Sequence, residues 1–326
     1  MIILNEEKNY REARVTKLSS DWLTDLSSGK KLSLKSYESR FSQSSQRLPS
    51  AQETKYEGIE SISRGLYWLT TSNPKTLTSL QHDYLTAVLH LAPAKFSGYK
   101  VCKNYSQCQA TCLFHQGRGK WQNVQDARIK KTRRLVEHPE NSIQEIAAEL
   151  SYLLARLNRP ELPKLAVRLN CLSDIPWESV TFSCLGDKTI FDAYPQIQFY
   201  DYTKYRIGER EAWDDMPLNY HLTYSFDGRE SDIPNCLQVL ERGHNVKMIL
   251  TKPHYKHWKS LLDKTQASYK GVPYLPITSK SWGSLTINNA FSGIPAIDGN
   301  SHDLRFLDPS GVVLMGKEKG YSEIAV

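Results

Sequence analysis

The sequence predicts an α/β fold around a parallel sheet, arranged as a partial (β/α)6-type, TIM-like barrel with a polar N-terminal extension. Short apolar runs recur from residue 165 onward, and each ends in polar side chains. Helical stretches such as residues 232–243 separate some of these runs. Strand, polar end, helix, strand is the pattern of a parallel sheet. Five or six such units are too few for a complete eightfold barrel. A doubly wound open sheet is the alternative.

The predicted strands are dense in apolar residues and end in polar side chains. Residues 84–91 are a buried strand or a short helix, because an apolar run of that length fits both. The other strands are predicted at residues 165–170, 197–204, 219–225, 245–250 and 294–299.

Two helices are predicted between the first two strands. Residues 121–135 carry apolar side chains at roughly helical spacing. A second helix over residues 142–158 starts from a cap at Asn141 or Ser142. Its apolar stripe is wide enough to face a core and consists of Ile143, Ile146, Ala147, Leu150, Leu153, Leu154 and Leu157.

Composition indicates a cytoplasmic protein with no membrane segment. Its 326 residues include 42 Lys and Arg against 35 Asp and Glu, a net charge of +7 that suits a polyanionic partner such as nucleic acid or a nucleotide. No apolar run approaches the roughly 18 residues that span a bilayer, and the N-terminus does not resemble a signal peptide. The serine-rich residues 1–65 are predicted to be a partly ordered extension, and residues 66–326 the folded domain.

Three cysteines form the most distinctive motif. Cys102, Cys108 and Cys112 follow a Cys-x5-Cys-x3-Cys spacing. In a reducing compartment, cysteines this close are more often metal ligands than disulfides. Three thiolates on one loop can hold three irons of a [4Fe–4S] cluster and leave the fourth iron open. The alternatives are a Cys3His zinc site that adds His115, or no metal; Cys171 is a further candidate ligand.

A basic segment follows the cysteines. The turn Gly117 to Gly119 can present backbone N–H groups to an anion, or can be an ordinary glycine turn. Phosphate contact and a solvated basic face both fit the cluster that follows. The predicted phosphate-binding residues are Arg118, Lys130, Lys131, Arg133 and Arg134.

Polar groups after two strands are candidate cofactor ligands. Asn170, Ser173 and Asp174 follow one strand, and either Ser173 or Asp174 can instead cap the next helix. Tyr200 and Lys204 lie at the end of the next strand, where Lys is a candidate acid, base or anion ligand. The closing segment is a hard-metal site or plain turn chemistry, with Asp298, His302, Asp303, Arg305 and Asp308. Walker-type, His-Glu-x-x-His and Gly-x-Ser-x-Gly motifs are absent, which disfavours those chemistries.

Several stretches together resemble a family of uncharacterised proteins encoded mainly by bacteriophages and some bacteria, with the cysteine motif of an iron–sulfur protein. The resemblance spans residues 66 to 320. It rests on LTAVLHLAPAKFSGYKVC, the three cysteines, GRGKWQNVQDARIKKTR, RLNCLSDIPWE, AYPQIQFYDYTK, NYHLTYS and AIDGNSHDLRFLDPSGVVLMGK. For a phage protein it implies the cytoplasm of the host.

More distantly, the architecture is similar to that of radical S-adenosylmethionine enzymes, where a three-cysteine loop after the first barrel strand holds a [4Fe–4S] cluster. The resemblance implies Cys102, Cys108 and Cys112 as ligands, S-adenosylmethionine as a cofactor near residues 170–174, and a nucleic acid or nucleotide substrate. Both cysteine gaps are longer than the usual Cys-x3-Cys-x2-Cys, and NCLSD replaces the Gly-Gly-Glu stretch. The second hypothesis is a non-catalytic nucleic-acid-binding viral protein with a structural iron–sulfur or zinc site.

Overall fold

The computed structural model describes residues 56, 59, 62, 65–71, 77–102, 112–278 and 289–318. The strands in this part are β1 (Leu69–Thr70), β2 (Tyr84–Leu89), β3 (Lys164–Arg168), β4 (Gln198–Thr203), β5 (Tyr220–Ser225), β6 (Asn245–Leu250), β7 (Ser268–Tyr269), β8 (Val272–Pro273), β9 (Leu275–Pro276), β10 (Pro295–Asp298) and β11 (Val313–Lys317). The helices are α1 (Gln122–Glu137), α2 (Pro139–Arg156), α3 (Ile190–Ala193), α4 (Ile233–Glu241) and α5 (Lys252–Leu262).

Most of the strands form one mainly parallel sheet. Its order is β1-β2-β3-β4-β5-β6-β11-β10-β9. Along this order, every neighbouring pair between β2 and β10 is parallel. The edge strands β1 and β9 are antiparallel to their neighbours, β2 and β10. The predicted α/β fold with a parallel sheet is therefore confirmed. Within the described residues, β1 and β9 are not paired with each other, so the sheet is open and no closed barrel forms.

The helices pack on one face of this sheet. Strands β2 to β6 follow one another in order, and right-handed crossovers that all advance in one direction place their helices on the same side. Alternate strand residues such as Leu165, Leu222 and Met248 share one core with helical residues such as Ile146 and Trp258. This single-sided arrangement differs from a doubly wound sheet, in which helices cover both faces.

The opposite face is largely polar. It carries Arg168, Tyr200 and Lys247, because side chains alternate along each strand. The segment of residues 299–310 covers part of this face, and its Leu304 packs against Tyr200. Its Phe306 lies edge-on to Tyr200 with ring centroids 5.6 Å apart. Two chemically different surfaces therefore flank the sheet.

The predicted strands are confirmed to within two residues, and residues 84–89 are a strand rather than a helix. The strand β11 was not predicted, because the closing segment was interpreted as either a hard-metal site or turn chemistry. It lies between β6 and β10 and supplies two parallel pairings. Its Gly316 leaves room for a charged side chain, since a Cβ there would lie 2.7 Å from Lys247 Cε.

Both predicted helices before β3 are present, but the predicted cap at Asn141 or Ser142 is wrong. The helix α2 begins at Pro139, which suits a first helical turn because proline lacks an N–H and has a helical φ. Ser142 lies inside the helix, and its hydroxyl donates to the Arg134 carbonyl at 3.1 Å.

Most of the predicted extension, residues 1–65, lies outside the described residues. Tyr56 and Ile59, which fall within it, are buried in the main core. The Tyr56 hydroxyl donates to Asp83 Oδ1 at 2.6 Å. These described positions therefore pack against the domain. Among the helices that the structure describes, none combines the length and apolarity needed to cross a bilayer.

Candidate functional site

Three cysteines lie in the two loops that follow β2 and β3 at the carboxyl edge of the sheet. Cys102 Sγ donates to the Leu172 carbonyl oxygen at 3.1 Å. Cys112 and Cys171 both pack against the small apolar cluster that contains Phe114 and Leu172. Cys102 and Cys112 lie in the loop between β2 and α1, and Cys171 follows β3. Two of the three predicted ligands therefore lie in the loop after β2; the third, Cys108, lies outside the described residues.

Cys171 lies between groups that favour its thiolate. Burial opposes ionisation of the thiol, yet the nearby charges of His90 and Arg168 and a hydrogen bond with His90 lower its pKa to about 6. His90 directly follows β2, and Arg168 ends β3, its parallel neighbour. The pairing of these two strands thus assembles the group. Asp303 acts in the opposite direction and raises the pKa.

Arg128 approaches the same thiols from α1. Its guanidinium carbon lies 5.9 Å from the centre of the Phe114 ring. Burial lowers the pKa of Arg128, while the Cys171 and Cys112 thiolates raise it. Gly119 permits the close packing here, since a Cβ would lie 2.8 Å from the Leu113 carbonyl oxygen and 3.1 Å from Arg128 Nη1.

His115, the predicted fourth zinc ligand, ends the short 3₁₀ turn that follows Cys112. Its ring lies edge-on to Phe96 and Phe114, with centroids 5.3 and 5.2 Å away. No cluster of three or more His, Cys, Asp or Glu side chains suited to a metal occurs in the described ranges, which omit Cys108. The zinc and iron–sulfur assignments both stay predictions.

The predicted cofactor ligands after β3 bind one another. Asn170 Oδ1 accepts from the Ser173 hydroxyl and from the Ile175 N–H, both at 2.9 Å. Asp174 Oδ2 accepts from the Lys204 N–H at 2.8 Å. These bonds join the segment after β3 to the end of β4, as expected for neighbouring strand ends. All three predicted side chains in this segment are buried.

Tyr200 and Lys204 have different surroundings. Tyr200 is fully buried on the polar face, where burial and Asp303 raise its pKa well above the ordinary value. Lys204 Nζ donates to the Ser225 carbonyl oxygen at 2.9 Å and its hydroxyl at 3.2 Å. Lys204 therefore contacts Asp174 through its main-chain N–H group, whereas Tyr200 lies on the polar face.

A buried ion network at this edge was not predicted. Arg210 Nε donates to Glu178 at 2.6 Å, and Nη1 donates to Asp174 at 3.1 Å. Arg210 Nη2 donates to the Tyr220 hydroxyl at 2.9 Å. Burial opposes the charge of Arg210, but these partners hold its pKa well above the ordinary value. Arg210 lies in an irregular loop, so the sequence had no periodic pattern that marked it.

The predicted phosphate-binding residues do not share one surface. Arg118 and Lys130 are exposed, and exposed Arg133 donates from Nε to the Ser97 carbonyl oxygen at 2.8 Å. Lys131 and Arg134 instead approach the Tyr67 ring, with centroid distances of 5.3 and 5.6 Å. Arg134 also pairs with Glu145. The basic run is therefore divided between solvent and the β1 segment.

The closing segment forms ion pairs among its own residues and with β3. Arg305 Nε lies 3.2 Å from Asp308 Oδ2. Arg168 Nη1 donates to Asp303 Oδ2 at 3.2 Å. In the described structure these groups fit the turn interpretation better than a hard-metal site, because Asp303 and Asp308 face guanidinium groups and Asp298 accepts from the Tyr255 hydroxyl and the Asn300 N–H.

The fold and the edge define an α/β protein of single-sided, mostly parallel architecture, with a thiol-rich site at the carboxyl ends of its first two parallel strands. The family model described as gene product 88 matches residues 63–325. The chain belongs to the gene product 88 family, which is of bacteriophage type, so the predicted resemblance to a phage family is confirmed at that level. No curated protein and no solved structure matches the chain significantly.

Proposed function

We propose that the protein binds a [4Fe–4S] cluster through Cys102, Cys108 and Cys112, with one iron open to a further ligand. The proposal rests on the contacts of two of these cysteines. Cys102 donates to the Leu172 carbonyl oxygen, and Cys112 packs against the small apolar cluster that contains Leu172. Both cysteines lie in the loop at the carboxyl end of the first parallel strand, β2. Active-site groups of parallel α/β folds gather at that edge.

The donor set fits an iron–sulfur centre. Its ligands would be soft thiolates, which favour iron–sulfur clusters and zinc over hard cations. Arg128 lies beside Cys112 and supplies a positive charge close to thiolate ligands. Such a charge supports an anionic metal–thiolate centre, because the thiols must ionise to bind.

The finer proposal is a radical S-adenosylmethionine-like enzyme of the host cytoplasm that acts on a nucleic acid or nucleotide. The single-sided order from β2 to β6 supports it, since a partial barrel needs helices on one face only. When bound, the cluster would supply one electron to a cofactor at its open iron. By analogy with those enzymes, the segment of residues 170–174 at the neighbouring strand end would lie beside the amino group of that cofactor.

Anaerobic purification tests the proposal. We expect a brown protein that absorbs near 400 nm, as iron–sulfur clusters do. Addition of S-adenosylmethionine to the reduced protein should yield 5′-deoxyadenosine. A colourless protein with stoichiometric zinc would overturn the cluster, whereas a brown protein without cofactor cleavage would overturn only the enzymatic part.

The second candidate function is nucleic-acid binding around Trp121. This side chain is 51% exposed. The Arg118 guanidinium carbon lies 5.7 Å from the centre of its ring. Exposed Lys120 and Lys130 lie nearby in the chain. An exposed aromatic ring among cations suits stacking on an unpaired base and contact with its phosphates.

Binding of single-stranded DNA tests this candidate by fluorescence anisotropy at several salt concentrations. We expect Trp121→Ala to weaken binding by about tenfold or more, because one stacked base contributes about 1–3 kcal/mol. Lys130→Glu should also weaken binding and flatten its salt dependence. Lys256→Glu reverses a charge in the same way at an exposed position of α5 and is the matched control. Equal effects at positions 130 and 256 would contradict a localised site.

A further inference from the structure

Two guanidinium groups approach the thiol site from different elements, and each has a buried N–H group that lacks a hydrogen-bond partner among the residues that the structure describes. These atoms are Nη1 of Arg128, on α1, and Nε of Arg168, at the end of β3. Buried donors in folded proteins are nearly always paired with protein, water or a ligand. Two unpaired guanidinium donors at one site therefore point to an acceptor that binds there.

Arg168 is held in place by other contacts. Its Nη1 donates to Asp303 Oδ2 at 3.2 Å, and its guanidinium carbon lies 4.7 Å from the centre of the Tyr202 ring. The side chain is 11% exposed. These contacts fix the guanidinium plane, and within the described part of the chain Nε has no partner. The arginine is thus oriented before any ligand binds.

Both guanidinium groups face Cys171. Arg168 lies three positions before Cys171 at the end of β3. Arg128 stacks over Phe114, which packs in the same small cluster as Cys171. His90 and the Asp303 carboxylate also face this thiol. Asp303 and the Cys171 thiolate offset the charges of the two arginines, so what the site offers a ligand is the two guanidinium N–H donors.

We propose that Arg128 and Arg168 together bind an oxyanion, a phosphate or a carboxylate, of a ligand beside Cys171. Guanidinium groups recognise both oxyanions because their N–H donors match the spacing of the oxygens. The site would accept the phosphate of a nucleotide or the carboxylate of a small organic acid. It goes beyond the proposed cluster and does not depend on it.

Isothermal titration calorimetry with inorganic phosphate and with acetate tests the site at constant ionic strength. The wild type should bind at least one of these anions, and binding of phosphate alone or acetate alone identifies the ligand class. Arg128→Gln should weaken binding by about tenfold or more, because charge-assisted hydrogen bonds are about twice as strong as neutral ones. Lys256→Gln removes one positive charge at an exposed position of α5; it is the control and should leave binding unchanged.

Arg168→Lys is the second variant, since it keeps the charge of this buried position and removes the planar fork. It should weaken binding while its thermal unfolding stays cooperative. Failure of the wild type to bind either anion at millimolar concentration would overturn the proposal, as would equal effects at positions 128 and 256. Iron is measured in every sample, so loss of the cluster and loss of oxyanion binding are separate results.

Discussion

Arg210 links three segments of the carboxyl edge through a single buried guanidinium. Its partners are Glu178 and Asp174 after β3 and Tyr220 on β5. A buried ion pair is weak evidence for net stability, but breaking one leaves a charge without a partner. Removal of Arg210 would therefore leave the carboxylates of Glu178 and Asp174 buried without their cation.

Arg210→Met should lower the free energy of unfolding by about 3–5 kcal/mol, because Glu178 and Asp174 would stay buried without their cation. Urea denaturation measures the loss. The control is Arg242→Met, since Arg242 is 43% exposed and pairs with exposed Asp214. This exposed pair should contribute about 0–1 kcal/mol. Comparable losses in the two variants would contradict the role assigned to Arg210.

Helix α2 fixes the antiparallel edge strand through one carboxylate. Glu149 accepts from the N–H groups of Tyr67 at 2.6 Å, Trp68 at 2.9 Å and Leu69 at 2.8 Å. Burial raises the pKa of Glu149 to about 7, although these hydrogen bonds and Lys131 act to lower it. Glu149 thus anchors β1 to α2, in addition to the pairing of β1 with β2.

Stability should respond to this group as the pH rises. The folded protein holds the Glu149 proton more tightly than the unfolded chain, so the contribution is complete below pH 4.5 and is lost as pH rises toward 7. Between these values, the wild type should lose up to about 3 kcal/mol relative to Glu149→Gln. Urea denaturation at several pH values measures the difference.

Exposed Glu161→Gln is the control, and its difference from the wild type should not change with pH in this way. A constant difference between the wild type and Glu149→Gln from pH 4.5 to 7 would show that Glu149 does not titrate in this range.

The elements that the sequence predicted well are those with a strong periodic pattern. The apolar stripe of α2 and the runs of β4 to β6 show that pattern, because burial on one face or two requires it. The strand β11 was missed because Gly316 and a preceding turn interrupt a short run. The start of α2 was missed because proline at the first position needs no preceding polar cap.

At the site, the sequence predicted groups of residues that are close along the chain better than groups that only the fold brings together. The three-cysteine motif is local, so its candidate ligands were evident from spacing. The group of His90, Cys171 and Arg168 depends on the pairing of β2 with β3, and Arg128 reaches it from a helix. Such long-range contacts follow from the packing of elements, which no single stretch of sequence encodes.

The whole molecule separates a structural face from a polar one. Helices cover one side of the sheet, and polar residues and the segment of residues 299–310 occupy the other. The thiols lie at the carboxyl edge where the two sides meet. The proposed cluster would lie at this edge.

Iron and acid-labile sulfide per chain, measured on anaerobically purified wild type and cysteine variants, test the central claim most directly. We predict about four of each in the wild type, the content of a cubane cluster. Alanine at Cys102, Cys108 or Cys112 should abolish the cluster, whereas Cys184→Ala, which removes a cysteine beside Glu140 and far along the chain, should retain it. Wild-type protein without iron and sulfide, or full clusters in all three ligand variants, would contradict the account.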